Sequence, residues 1–192
     1  MSALKIAVIV GSTRPGRVSR DVADWVHSIA SARTDASYEV VDLADFALPV
    51  YDEPLPAALG QYAGEHTKAW AARVAEFDGF VFVTPEYNHG PTSALKNALD
   101  YLYAEWNDKA AGFVSLGSAG GVRAVEQLRL IAAELRLATV AAQVALPITT
   151  DFTAYPAFSP VESRAGELDR LLDQVESWSA ALRSVRSVPA AA

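Results

Sequence analysis

The fold is indicated by residues 4–19, which read LKIAVIVGSTRPGRVS. Leu4–Val10 is almost entirely apolar and lacks the alternation of a strand that has one face in water. We therefore predict a strand buried on both faces, as in a parallel sheet that helices cover. Glycine, hydroxyl and arginine residues follow at once and lead into a segment of helical periodicity. The stretch is typical of a strand–loop–helix unit that begins an α/β fold.

Short apolar runs and helical segments continue to alternate along the chain. Four further strands are predicted, at residues 38–43, 79–84, 110–116 and 139–146. Five helices are predicted, at residues 17–32, 63–77, 91–103, 122–135 and 162–185. Right-handed crossovers favour a doubly wound, five-stranded parallel sheet of order 2-1-3-4-5 with helices on both faces. We expect a single domain at residues 1–187 and a frayed tail at residues 188–192.

The composition narrows the class of protein. The 192 residues carry a net charge of −7, which argues against a nucleic-acid partner because such a partner requires a basic face. The chain has no cysteine, which excludes thiol catalysis and is compatible with a reducing cytoplasm. Leu4–Val10 is too short to span a bilayer and leads into a glycine-rich turn rather than a signal-peptide cleavage site. We therefore expect a cytoplasmic protein without a membrane partner.

The first loop, residues 11–19, suits a terminal phosphate. It joins a strand to a helix, whose first N–H groups and dipole attract an anion. Hydroxyl and guanidinium groups that bind phosphate cluster in this loop, on Ser12, Thr13, Arg14, Arg17 and Ser19. We predict that this loop is a phosphate cradle.

Two standard nucleotide motifs are not formed in the first loop. A Walker A loop requires lysine and then serine or threonine after its second glycine, where this chain has Arg17 and Val18. Val18 cannot bind magnesium, which argues against an NTPase, although the residue stays within the predicted cradle. The dinucleotide fingerprint is also absent, because Thr13 replaces its second glycine.

The second loop, residues 85–90, reads PEYNHG and continues as PTSALKNALD to residue 100. Together with the first loop, this segment resembles the NADPH-dependent FMN reductase family of the flavodoxin-like fold, which includes quinone, azo-dye and chromate reductases. The resemblance runs from Lys5 to about Leu146. The chain departs from the family pattern where Thr92 and Ser93 follow the loop proline, and at Tyr101, where many members have tryptophan.

The resemblance implies an FMN site built from the loops. It implies that the FMN phosphate is held by Ser12, Arg14 and Ser19. It implies that four consecutive residues lie against the isoalloxazine ring: Pro85, Glu86, Tyr87 and Asn88. A flavin ring is apolar on its faces and polar at its edges, so it suits an aromatic side chain beside backbone amides.

The third loop, residues 115–121, reads SLGSAGG. Its glycines let the backbone approach a ligand closely, and the resemblance implies contacts with the other rim of the flavin. We include Ser115, Gly117, Ser118 and Gly120 in the site. A serine hydrolase is disfavoured, because the motif Gly-x-Ser-x-Gly is not formed here. All three loops follow carboxyl ends of predicted strands, so we expect them to converge on one edge near the switch point between strands 1 and 3.

The resemblance implies an oxidoreductase that uses FMN, with NADPH or NADH as hydride donor, and that works by a ping-pong order. The acceptor would be a small molecule such as a quinone, an azo compound, a metal oxyanion or free flavin. No catalytic side chain and no metal site is predicted. Two alternatives stay open: an FMN electron carrier of the flavodoxin type and a redox-regulatory module, neither with direct NAD(P)H activity.

Members of this family commonly form dimers or tetramers, with the flavin near the interface. The resemblance therefore implies a homodimer or a homotetramer. Two segments are candidates to cover a neighbour's flavin: the loop at residues 151–160 and the helix near Trp106. Trp106 itself follows the helix that leaves the second loop, so it is a candidate for an interface or substrate-facing role.

Overall fold

A five-stranded parallel sheet forms the centre of the structure, a computed structural model that describes residues 3–187. Its strands are β1 (Leu4–Val10), β2 (Ala36–Asp42), β3 (Gly79–Pro85), β4 (Lys109–Gly117) and β5 (Leu137–Pro147). The order across the sheet is β2-β1-β3-β4-β5, with parallel neighbours throughout. This confirms the predicted fold class and strand order. The predicted frayed tail, residues 188–192, lies outside the described residues.

All five predicted helices are present. The helices are α1 (Ser19–Ala30), α2 (Glu65–Ala75), α3 (Ser93–Asp100), α4 (Val122–Glu134), α5 (Ile148–Asp151) and α6 (Ser163–Arg186). The single turn α5 was not predicted, and neither were the 3-10 turns at Leu43–Asp45 and Ala57–Leu59, because such short pieces show no periodicity. Within residues 3–187, none of these helices combines the length and the apolar character needed to cross a membrane.

The helices lie on both faces of the sheet, and each face has its own core. The core that contains α1 and α6 includes Ile6 and Val8 of β1. The core that contains α2, α3 and α4 includes Ala7 and Ile9 of the same strand. Successive side chains of a strand point to opposite faces, so both sets of positions must be apolar. This double burial explains the nearly continuous apolar run that begins the sequence.

Trp106 belongs to the second of these cores. Its side chain is 0% exposed, and its indole N–H donates to the Leu99 carbonyl at 3.3 Å. Its ring centroid lies 4.9 Å from that of Phe80. An interface or substrate-facing role for the Trp106 side chain is therefore wrong, because no part of this side chain reaches the surface.

Helix α3 begins later than predicted. Pro91 was expected as its first residue, but the helix begins at Ser93, and Thr92 is the N-cap in an extended conformation. The Thr92 hydroxyl accepts the Leu95 N–H at 3.0 Å and donates to the Gly11 carbonyl. The side-chain cap satisfies a first-turn N–H that proline alone could not satisfy, which explains why the helix starts after Thr92.

Helix α6 packs against the sheet at Gly112 of β4. A Cβ placed on Gly112 would lie 2.8 Å from Val175 Cγ2 and 2.9 Å from Leu171 Cδ2, both in the buried core. Gly166, in the first turn of the same helix, has no heavy atom within 4 Å of such a Cβ. A methyl group added at Gly112 would be crowded by the core, whereas one added at Gly166 would meet open space. Alanine substitutions at the two positions therefore form a matched pair.

We expect Gly112→Ala to lower the free energy of unfolding by about 1–3 kcal/mol, because the added methyl group overpacks the contact between α6 and β4. Gly166→Ala is the matched control and should raise that free energy by about 0.5–1 kcal/mol, because alanine is the better helix former. Urea denaturation of both variants measures the difference. Equal effects of the two substitutions would contradict this packing.

Candidate active site

The three loops meet at the carboxyl edge of the sheet, as predicted. The first loop follows β1, the second follows β3 and the third follows β4, and all three strands are parallel. A cavity open to solvent lies between these loops. Eight of the predicted site residues line it: Arg14, Arg17, Val18, Ser19, Pro85, Glu86, Tyr87 and Gly117.

Three more predicted residues lie beneath the loops and hold them. Ser12 is buried, and its hydroxyl lies 2.9 Å from the Tyr87 hydroxyl. Ser115 is also buried and donates its hydroxyl hydrogen to the Gly120 carbonyl at 2.6 Å. Gly120 has a φ of 72°, in the left-handed region that favours glycine. The side chains of the two serines thus fix Tyr87 and the third loop.

The remaining predicted residues lie outside the cavity lining. Asn88 and Ser118 are exposed near the tips of the second and third loops. Thr13 is exposed and borders a separate depression that Leu48 and Asn97 also line. The structure thus brings the loops together but places these three side chains around the cavity rather than in it.

The start of α1 presents hydrogen-bond donors that lack acceptors. Ser19, the first helical residue, is buried, and its Oγ has no hydrogen-bond partner in the described part of the chain. The N-cap residue Val18 supplies no side-chain acceptor to the first turn. A buried hydroxyl without a partner costs about 1–3 kcal/mol, and the positive end of the helix dipole lies here. A phosphate group fits this cradle, because its oxygens can accept hydrogen bonds from the Ser19 hydroxyl and from the first backbone N–H groups of α1.

The two arginines of the first loop differ in their partners. Arg17 forms an ion pair with Asp42 at 2.5 Å, and its buried Nε has no hydrogen-bond partner within the described residues. Arg14 contacts the hydroxyls of Tyr87 at 3.3 Å and Tyr155 at 3.4 Å, and no carboxylate within residues 3–187 pairs with it. The hydrogen bond to Tyr87 raises the pKa of the Arg14 guanidinium, so the group stays charged. Arg14 therefore supplies the cavity with a positive charge that no carboxylate of residues 3–187 offsets.

A two-residue turn presents Tyr87 to the cavity. Tyr87 and Gly90 exchange backbone hydrogen bonds of 2.9 and 3.0 Å. Between them, Asn88 and His89 have φ values of 51° and 66°, which matches the tight turn that favours asparagine. The turn leaves the Tyr87 ring partly exposed at the cavity wall.

Glu86 fastens the second loop to α4. Its side chain is 6% exposed and forms an ion pair with Arg123, and it also accepts the Arg123 backbone N–H at 3.2 Å. The guanidinium of Arg123 lies 2.9 Å from His89 Nε2. The Glu86 backbone N–H donates to the Leu116 carbonyl at 3.0 Å. Glu86 therefore positions the second loop against the third loop and α4.

Sequence reasoning missed three residues of the lining: Leu116, Ile148 and Tyr155. Ile148 and Tyr155 follow β5, whose carboxyl end also lies at this edge of the sheet. The predicted strand order places the carboxyl end of β5 at the site. This was the sequence signal from which Ile148 and Tyr155 could have been found. Tyr155 of the loop at residues 151–160 thus lines the cavity of its own chain, and the role of this loop at a neighbour's flavin stays a prediction.

Comparison with known proteins identifies relatives of this chain. The NADPH-dependent FMN reductase family matches residues 4–151. The NAD(P)H-dependent FMN reductase ntnL of Nectria sp is 48% identical over 130 residues, which are 65% of this chain and 65% of that protein. The match thus spans slightly less than two thirds of that relative. The 2-hydroxy-1,4-benzoquinone reductase of Burkholderia sp is 35% identical over 141 residues, 69% of this chain and 72% of that protein.

A solved structure shares the fold. FerB from Paracoccus denitrificans, described as a flavoenzyme NAD(P)H:(acceptor) oxidoreductase, matches with a TM-score of 0.73 over 93% of this chain and 98% of that chain. Its sequence is 22% identical, so this likeness shows the predicted flavodoxin-like fold alone. The family match at residues 4–151 includes all three loops of the candidate site. The chain therefore belongs to the NADPH-dependent FMN reductase family.

Proposed function

We propose that this chain is an FMN-dependent oxidoreductase that takes hydride from NADPH or NADH and reduces a small acceptor. One observation carries the proposal: the unpartnered Ser19 hydroxyl and the unpaired charge of Arg14 line one cavity at the start of α1. Membership of the FMN reductase family supplies the identity of the phosphate-bearing ligand. When bound, FMN supplies a ring that accepts hydride, which no protein side chain can do.

The chain's own residues bind and orient the cofactor in this proposal. Ser19, Arg14 and the first N–H groups of α1 bind the phosphate. Tyr87 and the backbone around Gly117 lie along the ring, and the buried serines beneath them hold both loops. Three exposed residues on the same loops are proposed to contact the outer edge of the cofactor or substrate: Thr13, Asn88 and Ser118.

The proposed acceptor is a quinone, and azo compounds, metal oxyanions and free flavin are further candidates. The relative from Burkholderia sp named 2-hydroxy-1,4-benzoquinone reductase supports the quinone. Because the three loops line one cavity, we propose that donor and acceptor occupy the same place in turn, which is the ping-pong order. We place this activity in the cytoplasm, in keeping with the absence of cysteine from the sequence.

The proposed function predicts that NADPH reduces FMN on this protein. The purified chain is mixed with FMN, its visible spectrum is recorded, and NADPH is added without oxygen. We expect the flavin band to bleach within seconds and to return when a quinone is added. Bound flavin that NADPH cannot reduce would favour an electron carrier or a redox-regulatory module. A protein that binds no FMN would contradict the whole assignment.

We expect Ser19→Ala and Arg14→Gln to weaken FMN binding by about tenfold each, because each removes a hydrogen bond to a charged acceptor. Binding of riboflavin, which lacks the phosphate, should change little in either variant. Arg136→Gln is the matched control, since Arg136 is paired with Asp108 at 2.7 Å and does not line the cavity. Quenching of flavin fluorescence measures all three. Equal losses for FMN and riboflavin would show that these residues do not bind the phosphate.

We also propose that the protein is a homodimer or a homotetramer. Four large hydrophobic side chains are exposed within the segment 50–59: Val50, at 88%, with Tyr51, Leu55 and Leu59. Exposed apolar patches mark sites of protein association. The two copies of a symmetric dimer would cover these side chains.

Light scattering at micromolar concentration should give a mass of two or four times 20.5 kDa. Val50→Asp should shift the protein toward the monomer, because a buried charge in an apolar interface is unfavourable. Leu130→Asp on α4, where Leu130 is also strongly exposed, is the control and should leave the mass unchanged. A monomeric wild-type protein would contradict the proposal.

A further inference from the structure

Tyr155 lies at the tip of a short hairpin that follows α5. Phe152 and Phe158 pair as an antiparallel bridge, and the Thr153 N–H donates to the Ala157 carbonyl at 2.9 Å. The hairpin lies beyond residues 4–151, which the family matches. Its contribution to the site is therefore a property of this chain that family membership does not assign.

The base of the hairpin is fastened by a buried carboxylate. Asp151 is fully buried and pairs with Arg164 of α6 at 3.1 Å. Its side chain also accepts the Val161 N–H at 3.1 Å, and its carbonyl accepts the Ser159 N–H at 2.9 Å. A charge buried with this many partners fixes both ends of the hairpin in relation to α6.

A row of aromatic rings connects the hairpin to the helix that begins at the phosphate cradle. The Tyr155 ring centroid lies 5.8 Å from that of Phe152, and Phe152 lies 5.3 Å from Phe158. Phe158 in turn lies 5.7 Å from Trp25 of α1. These edge and tilted contacts are favourable for aromatic pairs. They hold Tyr155 at the cavity although its side chain is 48% exposed.

The Tyr155 hydroxyl has a hydrogen to donate. Its oxygen accepts from Arg14 Nη2 at 3.4 Å, and among residues 3–187 it has no second partner. Tyr155 lines the same cavity as Arg14 and Ser19. A phenolic hydroxyl both accepts and donates, so the group can keep its contact with Arg14 and donate to an anion.

We propose that Tyr155 is a phosphate-binding residue, which donates its hydroxyl hydrogen to the phosphate of FMN in the cavity that it lines together with Ser19. This inference rests on the proposed function and adds to it a residue from the same chain, on a hairpin whose tip lines the cavity. The Arg14 guanidinium contacts the hydroxyls of both Tyr87 and Tyr155. An anion bound beside Arg14 would therefore lie near one positive charge and two tyrosine hydroxyls. The hairpin thereby controls how tightly FMN is retained.

The experiment compares FMN with riboflavin on the full chain. Tyr155→Phe keeps the ring and its aromatic contacts and removes only the hydroxyl. We expect its dissociation constant for FMN to rise about tenfold, its FMN dissociation rate to rise accordingly, and its riboflavin affinity to stay unchanged. Tyr62→Phe is the matched control, because its hydroxyl bonds Glu105 at 2.8 Å and it does not line the cavity.

The outcomes separate this inference from the proposed function. Wild-type FMN affinity in Tyr155→Phe, with an unchanged circular dichroism spectrum, would overturn the inference and leave the proposed function intact. Equal weakening for FMN and riboflavin would also overturn it, because the hydroxyl would then act on the ring. A wild-type protein that binds neither flavin would overturn the proposed function, and the inference with it.

Discussion

The site depends on the close approach of the chain at Gly11, where the first loop leaves β1. The Gly11 N–H donates to the Val83 carbonyl of β3 at 2.8 Å, and its carbonyl accepts from the Thr92 hydroxyl. A Cβ at this position would lie 2.8 Å from the Val83 oxygen and 3.1 Å from Leu95 Cδ2. Only glycine allows this contact, which holds the first loop against β3 and the start of α3. The phosphate cradle and the second loop are adjacent for this reason.

Charge compensation then decides where an anion can bind. Arg17 is neutralised by Asp42, and Arg123 is neutralised by the nearly buried Glu86. Arg14 contacts tyrosine hydroxyls instead, so its charge remains available in a cavity lined by donors. A paired arginine mainly orders the loops, whereas an arginine without a carboxylate partner attracts phosphate. The arrangement concentrates anion affinity at the start of α1, where the helix dipole adds to it.

Much of this architecture could be predicted from the sequence because both faces of the sheet are covered. A strand buried on two sides is a nearly continuous apolar run, as in Leu4–Val10, and such runs are easily found. Two predictions were wrong, at positions where the local sequence pattern does not determine the structure. Trp106 looked available to a neighbour because it follows a helix, but it lies in an aromatic core with Phe80. The start of α3 was predicted from Pro91, whereas a side-chain cap by Thr92 sets it.

The sequence by itself determined the α/β class, the strand order and the three loops at one edge, since periodicity and chain order are local and topological properties. The PEYN segment also indicated the family before any contact was known. Only the tertiary structure decided which arginine keeps an available charge, because Asp42 lies 25 residues from Arg17 along the chain. It also brought Tyr155 to Arg14 across 141 residues. Partners so distant in the chain leave no local pattern, and only the packing of β5, α6 and the aromatic row places them together.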